Sequence, residues 1–310
     1  MAVKNHELYR WTTRYSTIAS YLEKAKLSNT LIGRIISDLQ TGNEKRFLEE
    51  YQWALSLWVE HLQDTKQKVI VTLDGRDTAG KWSNIKRVSD QLNNKHFGVT
   101  AFPGIPTPEE KFEDNWFQRY ERSFPREWGI QFFDRSWYNR AWVEAAMGFC
   151  TQEEYDWFMQ NVNQFEKERI VGAGYDFLKI YLSIGKNIQK ERLKARENVR
   201  KRWKSSPVDA QAQEKWGQYT LAKWQILEHT DTEHAPWIIL DSTQRFLSAV
   251  EIIKAMIGTR EEVRSLINKD LSIDLSPNPE VRRNWSQELK RMKRLWQIPT
   301  DKVFKFKKNS

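Results

Sequence analysis

The segment GRDTAGK (75–81) has the form G-x-x-x-x-G-K. Gly75 and Gly80 permit a tight turn that leaves backbone N–H groups pointing inward. With the N-terminus of a following helix, those groups hold phosphate oxygens. Lys81 adds a point charge for the terminal phosphates. A serine or threonine that binds Mg2+ usually comes next, but this chain has Trp82, so a metal must be held otherwise. Asp77 inside the loop and Asp134 at the end of an apolar run are the candidate ligands. Mg2+ takes one or two carboxylates plus substrate phosphates, and Mn2+ accepts the same oxygen donors. Arg135 and Arg140 follow Asp134 at once. Two arginines beside an aspartate at a strand's carboxyl end fit phosphate chemistry, because ligands bind at that edge of open α/β sheets.

A second cationic group lies further along the chain. Arg192, Arg196 and Arg200 stand at i, i+4 and i+8, so one helix face carries all three, and Lys190 and Lys194 make a second row. Phosphoryl transfer needs positive charge around the equatorial oxygens. It also needs water excluded, commonly by a closing lid. A long row of such groups suits a long anion better than one nucleotide. Nucleic-acid backbone binding uses the same chemistry; it ranks lower because the rest of the chain is net acidic and carries an intact phosphate loop.

These residues need a scaffold, and the chain supplies one. It has 310 residues, a net charge of +9 and 39% hydrophobic residues with 15 Trp, enough for a sizeable core and incompatible with a disordered chain. Residues 186–204 carry a net +7 and residues 281–310 a net +8, so the basic charge is confined to two segments. No apolar run approaches the roughly 20 residues of a membrane-spanning helix. The first residues lack a signal-peptide pattern, and a single cysteine, Cys150, forms no internal disulfide. A soluble, cytoplasmic protein is expected. Cys150 reads as packing, and no histidine has metal-ligand spacing.

Residues 6–66 read as helical, with Phe47, Tyr51, Leu55, Trp58 and Leu62 on one face. Strands are expected at 68–74, 99–102, 129–134, 175–184 and 237–240. Helices are expected after 82, before 124, over 137–148 and 151–166, from 186, from about 206 to 229 and over 243–257. This alternation predicts a parallel sheet covered on both faces. SIDLSPNPE (272–280) is the best boundary, and the bases and aromatics of the tail read first as a solvated or assembly segment. The expected organisation is a helical extension (1–66), an α/β core (67–260) with a lid at about 186–206, and a basic tail (261–310).

The chain resembles the polyphosphate kinase 2 family. The matching stretches are LDGRDTAGK (73–81) with Ile85-Lys86-Arg87, Pro106-Thr107, WFQRY (116–120) and, most specifically, FDRSWYNRAWVE (133–144). Met147-Gly148-Phe149, Gln189, Arg192, Arg196, RWKSSPVD (202–209) and YTLAKWQILEHTDTEHAPW (219–237) follow in order. The single-domain form resembles the branch that prefers nucleoside diphosphates. The resemblance implies a P-loop kinase-like three-layer α/β sandwich with a helical lid. It implies reversible Mg2+-dependent phosphoryl transfer between inorganic polyphosphate and a nucleotide, in a homodimer or tetramer. Asp77 and Asp134 would organise Mg2+. Lys81, Arg135 and Arg140 would bind phosphates near the transfer point. Arg192 and Arg196 match the lid arginines, and Lys204 a lid-proximal lysine. Gly75, Arg76, Gly80, Lys86, Asn139 and Glu144 lie in the matching stretches as further nucleotide- or phosphate-binding candidates. Polyphosphate would run through a basic channel beside the lid. Two positions depart from the family pattern. Trp82-Ser83-Asn84 replaces a small-residue run after the loop lysine, and Trp142 replaces a glycine. An ATP-dependent nucleotide kinase and a catalytically inactive polyphosphate- or nucleic-acid-binding homologue are the alternative readings.

Overall fold

On the first strand Val69, Val71 and Leu73 join one apolar cluster and Ile70 the opposite one, and all four are buried. A strand covered on both faces reads as a continuous apolar run, which is what VIVTL displays. This strand, β1 (Lys68–Gly75), lies inside a six-stranded sheet. The computed structural model describes residues 44–102, 107–109, 113–196, 211–258, 265, 267 and 273–294. The expected helix before residue 44, Pro106, Arg200, Lys204, the RWKSSPVD stretch and the tail beyond 294 lie outside the described residues.

The remaining strands are β2 (Phe97–Ala101), β3 (Gly129–Asp134), β4 (Tyr175–Ser183), β5 (Trp237–Asp241) and β6 (Arg282–Arg283), in the order β2-β3-β1-β4-β5-β6. The first five are parallel, as read from sequence. β6 is antiparallel to β5 through Ile239↔Arg283 and Leu240↔Arg282. Two arginines carry no strand signal, so only tertiary pairing creates this edge.

The helices are α1 (Glu44–Thr65), α2 (Lys81–Ser89), α3 (Glu113–Glu121), α4 (Val143–Met147), α5 (Gln152–Phe165), α6 (Lys186–Lys194), α7 (Trp216–Thr230), α8 (Arg245–Ile257) and α9 (Trp285–Arg294). The expected helix over 137–148 is divided into a 3-10 turn, Trp137–Arg140, and α4. Ser136 accepts from the Tyr138 N–H and starts that turn. α5 is opened by a Thr151–Glu154 capping box and runs on as a π-helical turn, Glu166–Val171.

One face of the sheet is covered by α1, α2 and α8. Tyr51, Leu55, Trp58 and Leu62 of α1 are buried there at helical spacing. The other face is aromatic and holds Trp116, Phe133, Trp137, Tyr138, Phe158 and Trp237, which accounts for much of the tryptophan content. A buried ion pair is set into this aromatic layer. Lys179 donates to Glu166 Oε2 at 2.7 Å and to the Thr230 carbonyl at 2.7 Å. Glu166 Oε1 accepts from Trp137 Nε1 at 3.0 Å and Tyr138 Oη at 2.7 Å. The 3-10 turn that follows β3 is therefore held from beneath by a charge inside the core.

The segment around 273–280 is tied to the core. Tyr51 Oη donates to the Asp274 carbonyl at 3.2 Å, Lys254 Nζ to the Ser276 carbonyl at 3.0 Å, and the Asn278 N–H to Glu251 Oε2 at 3.1 Å. Beyond it, α9 docks through the buried Glu288, which accepts from Lys223 Nζ, from Arg283 Nε at 2.7 Å and from Arg291 Nη1 at 3.3 Å. The described part of the basic tail, up to Arg294, is therefore anchored on one face.

Candidate active site

β1 and β3 are parallel neighbours, so the loops after them meet at one edge. Gly75 has φ +139°, and a Cβ there would lie 2.5 Å from the Leu182 carbonyl oxygen. No side chain fits between β1 and β4 at that point. Gly80, at φ +100°, is the N-cap of α2. Thr78 and Arg135 also hold positive φ, at 65° and 71°. Non-glycine residues occupy that region only where surrounding structure over-determines them.

Lys81 folds back beneath its loop and donates to the Gly75 carbonyl at 2.9 Å and the Arg76 carbonyl at 3.3 Å. Burial lowers its pKa and Arg135 lowers it further, while Asp134, Asp77 and Asp74 oppose them. The Lys81 charge is thus felt by three carboxylates and a guanidinium, while its ammonium bonds only to loop carbonyls. Arg135 Nη2 donates to Asp77 Oδ1 at 2.6 Å. Burial works against the Arg135 charge, but Asp77 above all outweighs it and raises its pKa. Asp134 ends β3, half-buried beside this pair.

Asp74 lines the loop pocket and was not singled out from sequence. It is buried and accepts from Ser136 Oγ at 2.7 Å and the Ser136 N–H at 3.3 Å. Burial pushes its carboxyl up to about 6, against the pull of Ser136, Lys81 and Arg135. The signal was present: Asp74 ends an apolar strand, the pattern that marked Asp134.

α6, where the lid is expected, lies on the loop. Arg192 Nη1 donates to the Thr78 and Ala79 carbonyls at 2.9 and 3.3 Å, and Nη2 to the Ser242 and Thr243 carbonyls at 2.7 and 3.0 Å. Burial, helped by Arg245, lowers its pKa to about 10. Gln189 Nε2 donates to the Asp77 carbonyl at 3.2 Å. Arg196 follows in the turn after α6.

The other candidates make different contacts. The Arg76 guanidinium turns to α7, donating to Thr220 Oγ1 at 2.5 Å and lying 3.7 Å above the Trp216 ring. Arg140 is buried against Glu144 at 3.1 Å and Glu154 at 3.5 Å, with its guanidinium 4.0 Å from the Trp116 ring centre. Glu144 is thus drawn to Arg140. Lys86 is exposed, five residues and about 7 Å along α2 from Lys81. Asn139 Nδ2 donates to the Phe102 carbonyl at 3.4 Å and lines the loop pocket.

That pocket is bounded by Asp74, Arg76, Asp77, Arg135, Trp142 and Tyr181 among others, and its free volume is about 10 Å³, room for about one water. Trp142 stacks on Tyr181 with ring centres 4.9 Å apart. Its Nε1 has no hydrogen-bond partner among the described residues. Trp82 instead points outward and is 50% exposed. Tyr181 and Tyr219 join this pocket from β4 and α7, with no local signal in sequence.

A family model described as Polyphosphate kinase 2 matches residues 38–265, which is most of the chain. The chain belongs to the polyphosphate kinase 2 family. Among curated relatives, it is 34% identical over 255 residues to the GDP-polyphosphate phosphotransferase of Mycobacterium tuberculosis, covering 81% of this chain and 83% of that one. It is 39% identical over 193 residues to the ADP-polyphosphate phosphotransferase of Pseudomonas aeruginosa, covering 62% and 61%. The chain spans about three fifths of the length of several of these relatives. The solved polyphosphate kinase 2 of Arthrobacter aurescens superposes with a TM-score of 0.63 at 25% identity, covering 82% of this chain and 87% of that one. The P-loop kinase-like α/β fold expected from sequence is therefore the fold of this polyphosphate kinase 2 family member, with an antiparallel edge strand added. No described helix is long and apolar enough to cross a membrane.

Proposed function

We propose that this chain transfers phosphoryl groups reversibly between inorganic polyphosphate and a nucleoside diphosphate, ADP or GDP to ATP or GTP. The observation that carries the reading is the phosphate loop with Lys81 folded beneath it, the Arg135–Asp77 pair at 2.6 Å beside it and Arg192 above it on the Thr78 carbonyl. Such an arrangement positions phosphates and spreads charge, and phosphoryl transfer asks for little else. The attacking oxygen of a nucleoside diphosphate is already ionised, so no general base is required. An oxygen–phosphorus bond forms to the terminal phosphoryl group, and the anhydride bond to the shortened polyphosphate breaks.

In this reading the loop N–H groups and Lys81 hold the phosphates, and Arg135 and Arg192 neutralise charge on the transferred group. Asp77 orients the acceptor, and Asp77 with Asp134 would hold Mg2+ or Mn2+. Their all-oxygen donor set fits a hard cation. The metal would supply positive charge at the terminal phosphates. Arg192 and Arg135 are engaged with protein groups here, so substrate phosphates would take over these bonds. The pocket of about 10 Å³ must open for an acceptor, which lid movement permits. The Arg140–Glu144 pair would act by holding the turn and α4. A cytoplasmic homodimer or tetramer, with no membrane or nucleic-acid partner, completes the proposal.

The test is turnover with long-chain polyphosphate, Mg2+ and ADP, GDP or AMP in parallel, run in both directions. Turnover with a diphosphate is expected, and it should fall by about a hundredfold or more in Lys81→Ala and Asp134→Asn. Equal turnover with ATP as donor and no response to polyphosphate would overturn the reading.

A further inference from the structure

A second cationic cleft lies outside the phosphate loop. Pro279, Arg283, Gln287, Lys290, Arg291 and Arg294 enclose about 380 Å³ between the segment leading into β6 and α9. The helix has two faces. Glu288 and Met292 are buried and anchor it, while Gln287, Lys290, Arg291 and Arg294 recur at i, i+3, i+4 and i+7 on the cleft side. Arg283 and Arg291 share Glu288, and Arg283 lies 3.7 Å from Asp241. Lys290 and Arg294 have no acidic partner among the described residues. The cleft therefore keeps a net positive charge.

Its place in the fold matters as much as its charge. Glu288 reaches Ser183 Oγ at 3.4 Å, at the end of β4, and Arg283 approaches Asp241, at the end of β5. The cleft thus stands at the same carboxyl edge as the phosphate loop. Glu288 pairs with Lys223, whose ammonium lies 5.2 Å from the Tyr181 ring centre, and Tyr181 lines the loop pocket. β6 is three strand spacings from β1, about 14 Å along the sheet. A long polyanion held at the loop would span that distance. Among the described residues no aromatic ring lines the cleft, so none of them stacks on a base as single-stranded nucleic-acid sites do.

We infer that the cleft between the β6 approach and α9 is a distal binding site for long inorganic polyphosphate, holding phosphates remote from the transfer point through Lys290, Arg291 and Arg294. The inference rests on the proposed polyphosphate chemistry and assigns it a chain-length preference.

The test compares the full chain with Lys290→Ala/Arg294→Ala, two exposed positions outside the Glu288 cluster. Binding of long-chain polyphosphate without nucleotide is titrated across NaCl concentrations, beside tripolyphosphate and a single-stranded oligonucleotide of matched charge. The variant should bind long-chain polyphosphate about tenfold more weakly at low salt, with a log–log salt slope shallower by about 1.5. Tripolyphosphate should bind both proteins alike. Equal long-chain binding by both proteins overturns the site. So does equal weakening for tripolyphosphate, which would put these cations at the loop. Tighter, variant-sensitive binding of the oligonucleotide would overturn it in favour of nucleic acid. Turnover is read separately. A chain that loses long-chain binding in the variant but transfers no phosphoryl group keeps the cleft and loses the transferase reading.

Discussion

Lys81 and Asp74 illustrate how the loop trades stability for chemistry. Burial disfavours both charges, yet neither is neutralised by a simple one-to-one partner. Asp74 has an ordinary value of 3.8 and a folded value of about 6. Between these the folded state binds more protons than the unfolded state, so stability falls as pH rises from 3.8 to about 6. The ionised carboxylate then costs up to about 3 kcal/mol at neutral pH. Asp74→Asn should therefore unfold at a higher temperature than the parent at about pH 8, and the gain should vanish near pH 4. Thermal unfolding across pH checks this, and a gain that is constant with pH would contradict it. The two departures from the family pattern also separate at this scale. Trp142 is stacked in the pocket wall, whereas Trp82 is half exposed beside Lys81.

At the scale of elements, α6 is held to the loop mainly by polar contacts. Its hydrophobic burial is small: of its residues only Gln189 is buried. Arg192 spans two loops with four donated bonds, and Gln189 adds one to the Asp77 carbonyl. An element held by replaceable hydrogen bonds rather than by a packed core opens at low free-energy cost. Arg192→Ala should raise amide hydrogen exchange in 186–194 by about tenfold or more while leaving β1 and β4 protected. Unchanged exchange in α6 would mean that Arg192 is not its latch. The Glu166–Lys179 pair does the opposite for the 3-10 turn. It fixes Trp137 and Tyr138 from inside the core, so the Arg135 loop is positioned independently of α6.

Over the whole molecule, the basic C-terminal helix belongs to the fold through one carboxylate. Burial opposes the Glu288 charge, but Lys223, Arg283 and Arg291 overcome it and hold its pKa near 2, below the ordinary 4.5. Burial lowers Lys223 to about 8 despite the same contact. The two shifts differ because Glu288 faces three cations, while Lys223 faces one carboxylate and is also near Arg76 and Arg291. The stabilising weight therefore rests on the glutamate. That contribution is present above pH 4.5 and is lost as pH falls towards about 2. Glu288→Ala leaves Lys223 buried without its partner, and should cost about 3–5 kcal/mol and release α9. Denaturant unfolding and proteolysis after residue 280 would show it. A variant as stable as the parent, with α9 still protected, would refute the anchoring role.

Much of this protein is determined locally. Apolar runs identified the parallel strands, most directly β1 and β3, which are buried on both faces and need no partner to be read as such. GRDTAGK identified its own turn, because only glycine tolerates the approach of Leu182 at Gly75. The strand-ending Asp134 and the lysine that follows the loop were legible for the same reason. Tertiary structure decided the rest. Which motif cations are free to meet phosphates could not be read from motif membership, because Arg140 was drawn to Glu144 and Glu154, and Arg76 to Trp216, 140 residues further along the chain. The two-residue β6 exists only by pairing with β5. Whether α9 is solvent-exposed or docked depended on the buried Glu288 meeting Lys223, a charge balance that only packed elements establish.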